Sequence, residues 1–277
     1  MITNWMITGD CHGVSGVEAR LKDLSLHADN IVGSTALIIL GDAGLNFWLN
    51  KTERKHKREL SKYNIPIYCV RGNHEERPEY LGYQLRYDED VNGEVYIDND
   101  NDMIRYFQDG GEYVIDGLNV LTIGGAYSVD KDYRLQRAAA AGTSFTGWFP
   151  GEQLGEKERA DIRAKVNGKY YDFILTHTCP YSWEPRDLFL GFIEQDKVDK
   201  TMEWFLQDIA CETRWCIWCF GHYHANRAEL PCVEQLYYSI RPLRTIFDDW
   251  TGEEHNWHYL EKSPEFYIKP TLKGEKI

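Results

Sequence analysis

The chain has 277 residues, of which 43% are hydrophobic and 27% charged; this is typical of a globular protein and excludes a disordered or fibrous one. Its net charge of −13 argues against a protein that mainly grips a nucleic-acid backbone, because such proteins cluster Lys and Arg against the phosphates. We therefore expect no extended nucleic-acid-binding face. A nucleotide substrate stays compatible with this charge, since bound divalent cations would reverse the local field.

The sequence also predicts the environment of the protein. No run of 18 apolar residues occurs, and the N-terminus lacks a basic region followed by an apolar one, so neither a membrane span nor a secretory signal is expected. Seven scattered cysteines, an odd number, favour reduced thiols in the cytoplasm over a disulfide framework. Cys216 and Cys219 have zinc-motif or redox-motif spacing, but without a partner pair we interpret their hydrophobic run as a buried strand.

The N-terminal part of the chain alternates strand and helix patterns. Residues 2–8, 36–40 and 66–70 predict strands, while 15–27 and 52–63 predict helices. This β-α-β-α-β order predicts parallel strands joined by right-handed crossovers. The segments that follow the three strands should therefore lie at one edge of a sheet.

The middle of the chain is less regular. Residues 75–112 are polar and acidic, and we expect a loop with short elements there. Their acidic run, 98–102, lacks the glycine and glutamate of a calcium loop and is interpreted as a solvated turn. A hairpin is predicted over 113–123, around the turn pair Asp116-Gly117. Further helices and strands alternate beyond it, at residues 152–166, 172–175, 197–212 and 215–220.

The domain organisation follows from what the sequence lacks. No internal repeat is found, and no linker rich in Pro, Gly or Ser marks a boundary. We therefore expect a single domain over residues 1–277. Its core should occupy about 1–245, with a C-terminal segment, 246–277, packing on that core.

Five short polar clusters follow apolar, strand-like runs. They are Asp10-Cys11-His12, Gly41-Asp42, Gly72-Asn73-His74-Glu75, His177 and Gly221-His222-Tyr223-His224. Side chains separated by one residue point the same way from an extended segment, so Asp10 and His12 can reach one cation. Carboxylate, carbonyl and imidazole groups suit hard or borderline metals. Each cluster alone is common, and a lone histidine is more often structural, but the set together predicts a metal site.

The order Asp-x-His, Gly-Asp, Gly-Asn-His-Glu, His, Gly-His-x-His resembles the calcineurin-like metallophosphoesterase superfamily over roughly residues 10–224. The resemblance implies an α/β fold in which a two-sheet β-sandwich is flanked by helices, an α-β-β-α arrangement, with a dinuclear metal site at strand ends. It implies a first ion held by Asp10, His12, Asp42 and His224, and a second held by Asp42, Asn73, His177 and His222. It also implies that His74 is the catalytic residue near the leaving-group oxygen.

The function expected from this resemblance is a metal-dependent phosphoesterase that hydrolyses a phosphomonoester or a phosphodiester. A nucleotide or another small phosphate is the expected substrate. Two divalent ions would clamp the phosphate oxygens and activate a bridging hydroxide, while His74 protonates the departing oxygen. Nitrogen and oxygen ligands without a thiolate suit manganese, with iron, zinc, cobalt and nickel as alternatives.

Two other functions stay open at this level. Arg71, before Gly72, makes the third cluster similar to that of serine/threonine protein phosphatases, yet the arginine that this branch carries after Gly-Asp is absent at 43–46. A non-catalytic scaffold of the same fold is the third candidate, although such scaffolds typically lose ligands or the catalytic histidine. Arg71, Arg134 and Arg137 are the candidate substrate-binding residues, because guanidinium groups pair with phosphate.

Overall fold

The computed structural model describes residues 2–27, 35–228 and 230–252. The strands are β1 (Asn4–Thr8), β2 (Thr35–Leu40), β3 (Ile67–Val70), β4 (Gln84–Asp88), β5 (Gly93–Ile97), β6 (Ile104–Phe107), β7 (Gly111–Ile115), β8 (Leu118–Ile123), β9 (Tyr170–Thr176), β10 (Arg214–Phe220), β11 (Val233–Gln235) and β12 (Arg241–Pro242). The α-helices are α1 (Val14–His27), α2 (Lys51–Glu59), α3 (Lys131–Ala141), α4 (Glu156–Val166), α5 (Thr201–Glu212) and α6 (Leu243–Thr251).

These strands form two mixed sheets. The first sheet has the order β12-β1-β2-β3-β6-β5-β4, and its neighbours β1, β2, β3 and β6 are parallel. The second sheet has the order β11-β10-β9-β8-β7, in which β8 to β11 are parallel and β7 is antiparallel. The carboxyl ends of the parallel strands in each sheet therefore lie along one edge.

Three hydrophobic layers hold the sheets and helices together. In β2, Ile38 packs into the core between the sheets, whereas Ile39 packs into the core beneath α1. In β9, Phe173 joins the same inner core, and Ile174 lies beneath α5. Because side chains alternate along a strand and both faces of these strands are covered, their sequences are continuously apolar. The predicted two-sheet sandwich flanked by helices is confirmed.

The loop with short elements expected over 75–112 is confirmed, although the sequence did not place those elements. This stretch contains β4, β5 and β6, which extend the first sheet. The strand β4 is short and largely exposed at the sheet edge, and its alternation of polar and apolar residues over 84–88 was not recognised. The solvated turn expected at 98–102 was wrong at two residues, because Asp98 and Asn101 are buried. The Oδ2 atom of Asp98 accepts a hydrogen bond from the Lys57 ammonium at 2.6 Å.

Two local predictions were correct. The hairpin of β7 and β8 turns at Asp116 and Gly117, which both have positive φ, at 54° and 76°. Cys216 and Cys219 lie buried in β10, as expected for a strand covered on both faces.

The loop between β2 and α2 is held by acidic and amide side chains. The Glu53 carboxylate accepts hydrogen bonds from the backbone N–H groups of Phe47, Trp48 and Leu49, at 3.1, 2.8 and 2.9 Å. Asn50 caps the first turn of α2 through the N–H of Glu53, at 2.9 Å. This loop is therefore rigidly joined to the helix that follows it.

The C-terminal prediction is only partly within the described residues. The helix α6 places Leu243 and Ile246 in the inner core. Residues 253–277 lie outside the described residues, so the division into a core and a packed segment 246–277 stays a prediction. In the part of the chain that the structure describes, no helix has the length and apolar content needed to cross a membrane.

Candidate metal centre

The five polar clusters converge at one edge of the sandwich. Each candidate ligand lies within four residues of the carboxyl end of a parallel strand: β1, β2 or β3 in the first sheet, and β9 or β10 in the second. Carboxyl ends of parallel strands are where α/β proteins usually build their sites. The two sheets bring their ends together, so that clusters far apart in the sequence become neighbours.

The first group of side chains is Asp10, His12 and His224. The Nε2 atoms of the two histidines lie 2.7 Å apart. The Oδ2 atom of Asp10 lies 3.2 Å from Nε2 of His224 and 3.6 Å from Nε2 of His12. This oxygen is buried and has no hydrogen-bond partner among the described residues. Buried carboxylate oxygens are rarely left unsatisfied, so the group has the chemistry of a cation site.

The second group is formed by Asp42, Asn73 and His177. The Nδ1 atom of His177 lies 2.9 Å from the carbonyl oxygen of Leu40, and a neutral ring that donates there presents a lone pair at Nε2. That Nε2 atom lies 2.8 Å from Oδ1 of Asn73 and 3.6 Å from Oδ1 of Asp42. In this tautomer three acceptor atoms face one another, an arrangement that a cation between them would stabilise.

Asp42 lies between the two groups. Its Oδ2 atom is 3.8 Å from Nδ1 of His12, and its Oδ1 atom accepts the backbone N–H of His74 at 2.8 Å. Burial alone would raise the pKa of Asp42, but the imidazoles of His74, His177 and His12 and this backbone hydrogen bond hold it well below its usual range. The carboxylate is therefore charged and positioned between both sets of ligand atoms.

His222 completes the second group, and Tyr237 supports the first. The His222 ring lies 4.9 Å from the His177 ring between centroids, and its backbone N–H donates to Oδ1 of Asp10 at 2.9 Å. Burial lowers the pKa of His222 well below its usual value, which leaves the imidazole neutral, as a metal ligand must be. The ring of His224 stacks on Tyr237 at 4.8 Å, which fixes its orientation.

The backbone at this edge is strained. Four of the seven candidate ligands have left-handed φ values between 46° and 66°: His12, Asp42, His222 and His224. Such conformations cost free energy in residues other than glycine and cluster at functional sites. Close packing adds a second constraint, because a Cβ on Gly41 would overlap the His177 ring and one on Gly221 would overlap the Asp10 carboxylate.

These atoms fit divalent cations. The ligand atoms of Asp10, His12 and His224 lie within 4.8 Å of one another, and so do those of Asp10, Asp42 and His177. The thiol of Cys11 does not join them, since its side chain packs beneath α1, where burial raises its pKa to about 12. The donor set is thus nitrogen and oxygen, as expected for borderline and hard metals.

His74 lies beside the ligand groups. Its Nε2 atom is 3.8 Å from Oδ2 of Asp42 and 3.5 Å from Nη2 of Arg134. Burial lowers the pKa of His74 below its usual value, although the charge of Asp42 opposes the shift. The ring faces a cavity, which suits a group that acts on a bound molecule.

Arg71 has a different role from the one expected. The side chain is only 2% exposed. Its Nε and Nη2 atoms donate to Oδ2 of Asp109 at 3.1 and 3.0 Å, and Nη1 donates to the carbonyl of Glu152 at 2.9 Å. None of these contacts is with the nearby carboxylates of Glu75 and Glu76. Because its donors are occupied inside the protein, we withdraw Arg71 as a substrate-binding candidate and assign it to holding the loop after β3.

The other two arginines differ from each other. Arg134 donates from Nε to Oδ2 of Asp130 at 2.7 Å and from Nη1 to the carbonyl of Gly147, and its Nη2 atom points toward His74. Arg137, further along α3, is exposed and has no contact with His74; neither arginine is among the described residues that line the adjoining cavity. Arg134 therefore stays a candidate for phosphate binding, whereas no contact in the structure supports Arg137.

Two supporting residues were missed. Ser128 accepts a hydrogen bond from Nδ2 of Asn73 at 2.8 Å, which turns the carbonyl oxygen of that amide toward His177. Glu75, fully buried, accepts the N–H of Gly72 at 2.9 Å and so holds the turn. Glu75 belongs to a recognised motif and could have been assigned this role. Ser128 lies in a loop without any distinguishing pattern.

A cavity of about 330 Å³ opens from the centre. Asp42, Asn73, His74 and His222 line its floor. Its opposite wall comes from the segment between β9 and α5. A volume of this size accepts a small organic group beside a phosphate.

A family model for calcineurin-like phosphoesterases matches residues 4–226, a range that contains all seven candidate ligands and His74. No curated protein matches the chain at a significant level.

Proposed function

Since the chain belongs to the calcineurin-like phosphoesterase family, we propose that it is a metal-dependent hydrolase of phosphomonoesters or phosphodiesters. A nucleotide or another small phosphate is the proposed substrate. The observation that carries the proposal is the convergence of buried acceptor atoms, among them the unpartnered Oδ2 of Asp10 and the Nε2 lone pair of His177. We also keep the cytoplasmic location as a prediction from the cysteine pattern.

Two sets of residues would hold the ions. In this proposal the first ion is held by Asp10, His12, Asp42 and His224, and the second by Asp42, Asn73, His177 and His222. When bound, two divalent ions polarise the phosphate and supply a hydroxide nucleophile near neutral pH. The nitrogen and oxygen donors favour manganese, with iron, zinc, cobalt and nickel as alternatives.

His74 would hold the proton that the leaving group needs. Its ring nitrogen Nε2 lies near Arg134, at the side of the cavity. Burial disfavours the imidazolium in the free protein, but a bound anionic ester would raise the pKa of His74, because an opposite charge favours the protonated form. His74 could then transfer this proton to the departing oxygen.

Arg134 would orient the phosphate. Asp130 fixes its guanidinium through Nε at 2.7 Å, while Nη2 remains directed at the site. A planar guanidinium held in this way matches two oxygens of a phosphate. No phosphate contact of Arg137 is proposed.

A protein phosphatase is now the weaker alternative. The likeness depended on Arg71, and the contacts of Arg71 with Asp109 and Glu152 give it a structural task instead. A scaffold without activity has no specific support either, since His74 and the whole candidate ligand set are present at the site.

Hydrolysis of paired chromogenic esters tests the proposal. The metal-stripped protein, alone and reloaded with manganese, is incubated with 4-nitrophenyl phosphate and with bis(4-nitrophenyl) phosphate. We expect turnover of at least one ester only after reloading. Turnover of the diester would direct attention to phosphodiesters, and turnover of the monoester alone to phosphatases. Absence of turnover with two ions demonstrably bound would contradict the proposed hydrolase.

A further inference from the structure

The cavity beside the metal centre has one polar side and one apolar side. Leu188, Phe189, Leu190, Ile193 and Val198, all from the segment between β9 and α5, line its apolar side. The Phe189 ring lies nearly parallel to that of Tyr223, with an angle of 25° and centroids 6.2 Å apart. A charged phosphate gains no favourable interaction from apolar side chains. The apolar side therefore suits the organic part of an ester.

One acidic side chain interrupts this apolar side. Glu203, at the start of α5, lines the cavity and is 4% exposed. Its Oε1 atom accepts the hydroxyl of Thr178 at 2.9 Å. Its Oε2 atom is buried and has no hydrogen-bond partner within the described residues. Glu203 thus offers one unused acceptor in an otherwise hydrophobic part of the cavity.

The cation of this lining is already engaged by other groups. Among the described residues that line the cavity, Lys200 is the one Lys or Arg, and its charge acts on the Glu203 carboxylate. Its ammonium, however, pairs with Glu184 at 2.6 Å and lies 4.7 Å from the centre of the Phe189 ring. Burial raises the pKa of the Glu203 carboxyl to about 7, because the charged form has lost its hydration. A ligand that donates a hydrogen bond to Oε2 would offset that loss.

We propose that the apolar side of the cavity binds the base of a nucleotide, and that Oε2 of Glu203 accepts a hydrogen bond from an exocyclic amino group of that base. The inference rests on the proposed function and names its substrate class. A flat base matches the Phe189 and Tyr223 side of the cavity. Because the Thr178 hydroxyl already donates to Oε1 of Glu203, the base has to donate only one hydrogen bond to this carboxylate. A base with a carbonyl at that position would direct a lone pair at the carboxylate and would be disfavoured.

Binding of non-hydrolysable nucleotides tests this inference. The full chain reloaded with manganese is titrated by calorimetry at about pH 8, above the pKa of Glu203, so that its carboxylate is ionised. The ligands are phosphonate analogues of adenosine 5′-monophosphate and inosine 5′-monophosphate, in which carbon replaces the ester oxygen. The two differ in the amino or carbonyl group of the base. We expect the adenosine analogue to bind about tenfold tighter, as for a hydrogen bond to a charged group. The matching analogue of ribose 5-phosphate should bind weakest.

A matched pair of variants assigns the preference to Glu203. Glu203→Gln should reduce the preference for the adenosine analogue to about twofold or less, because the charge-assisted hydrogen bond is lost. Glu194→Gln makes the same change at an exposed residue of the same segment, which pairs with Lys197. That control should keep the wild-type preference.

Three outcomes would overturn the inference. These are equal binding of the adenosine and inosine analogues, an unchanged preference in Glu203→Gln, and tighter binding of phosphocholine than of the adenosine analogue. The last result would identify the occupant as an ammonium group. Hydrolysis of the chromogenic esters is an independent readout. Turnover combined with equal binding of the analogues would refute base recognition and leave the hydrolase proposal intact. A base preference without any turnover would support base recognition and refute the hydrolase proposal.

Discussion

Two buried polar clusters lie on either side of the loop after β2, and they satisfy their charges in opposite ways. Near α2, the Lys57 ammonium has an acceptor for each of its three protons: Oδ2 of Asp98 and Oδ1 of Asn46, both at 2.6 Å, and the Tyr83 hydroxyl at 2.9 Å. In the candidate metal centre, side-chain oxygens and nitrogens that can each bind a cation face one another. Asp10 Oδ2 has no partner there among the described residues, and the His12 and His224 nitrogens meet at 2.7 Å.

This difference separates a structural cluster from a functional one. Burial and charge are similar in both, so neither property identifies the site. In the Lys57 cluster every charged group is paired without any ligand, although Nδ2 of Asn46 has no partner among the described residues, and Asn46 anchors the loop after β2. In the metal centre, by contrast, a buried carboxylate oxygen of Asp10 has no donor among the described residues. Mutations should therefore affect stability at the first cluster and ligand binding at the second.

The largest effect should come from Asp42→Asn. The variant removes the charge that lies between both ligand groups, so we expect manganese-dependent hydrolysis to fall by about 10⁴-fold, equivalent to several kcal/mol of lost transition-state stabilisation. Manganese should also raise the unfolding temperature of the wild type by several degrees, through binding to the folded state alone, and should leave that of the variant unchanged. Calorimetric scans with and without manganese measure this. A full metal-induced shift in Asp42→Asn would contradict its bridging position.

His74→Asn should separate metal binding from turnover. We expect the metal-induced rise in unfolding temperature to be kept, because His74 is not among the proposed ligands, while hydrolysis of an alkyl ester falls by about 10² to 10⁴-fold. The loss should be smaller with a 4-nitrophenyl leaving group, which departs without a proton. Steady-state rates on the two kinds of ester provide the comparison. Equal losses for both leaving groups would remove the acid role from His74.

Lys57→Met should lower the stability of the fold and leave metal binding intact. The variant leaves the buried Asp98 carboxylate without its cation, which should lower the free energy of unfolding by about 3 to 5 kcal/mol. Denaturant titration of the metal-free protein measures this. The double variant Lys57→Met/Asp98→Leu should recover much of the loss, because a buried ion pair can be replaced by apolar groups. Both variants should still bind two manganese ions, and a lost ion would show that the two clusters are coupled.

The sequence was sufficient to locate the candidate ligands. Each follows a continuously apolar strand, and the β-α-β order places the ends of such strands together. That reasoning needs only local patterns, so it brought Asp10, Asp42 and Asn73 to one edge before any contact was known. His177 was added by the set of five clusters and by the family resemblance. The strand β4 was missed although its residues alternate between polar and apolar types, because so short an alternation inside an acidic stretch is weak evidence for a strand.

Contacts between distant parts of the chain were beyond sequence reasoning. Arg71 looked like a phosphate ligand by its place in a motif, yet its partner Asp109 is 38 residues away. Ser128, which orients Asn73, is 55 residues from it and lies in an irregular loop. Glu203 was one of many acidic residues until the cavity and the unpartnered Oε2 distinguished it. Whether a polar group is satisfied depends on the packed structure, which no local pattern reports.

The smallest effect should come from Ser128→Ala, which changes the orientation of one ligand and removes none. Without the Ser128 hydroxyl, Nδ2 of Asn73 loses its acceptor at 2.8 Å, so the amide can rotate and its carbonyl oxygen no longer faces His177 by default. Groups that orient metal ligands typically affect metal affinity by about 10 to 100-fold. Competition with a metal chelator should show a loss of this size for the weaker-bound manganese ion. Ser144→Ala, at an exposed position in the loop after α3, is the matched control and should bind both ions as the wild type does. An unchanged affinity in Ser128→Ala would mean that Asn73 is oriented by the bound cation itself, and the centre would then be less preorganised than its hydrogen bonds indicate.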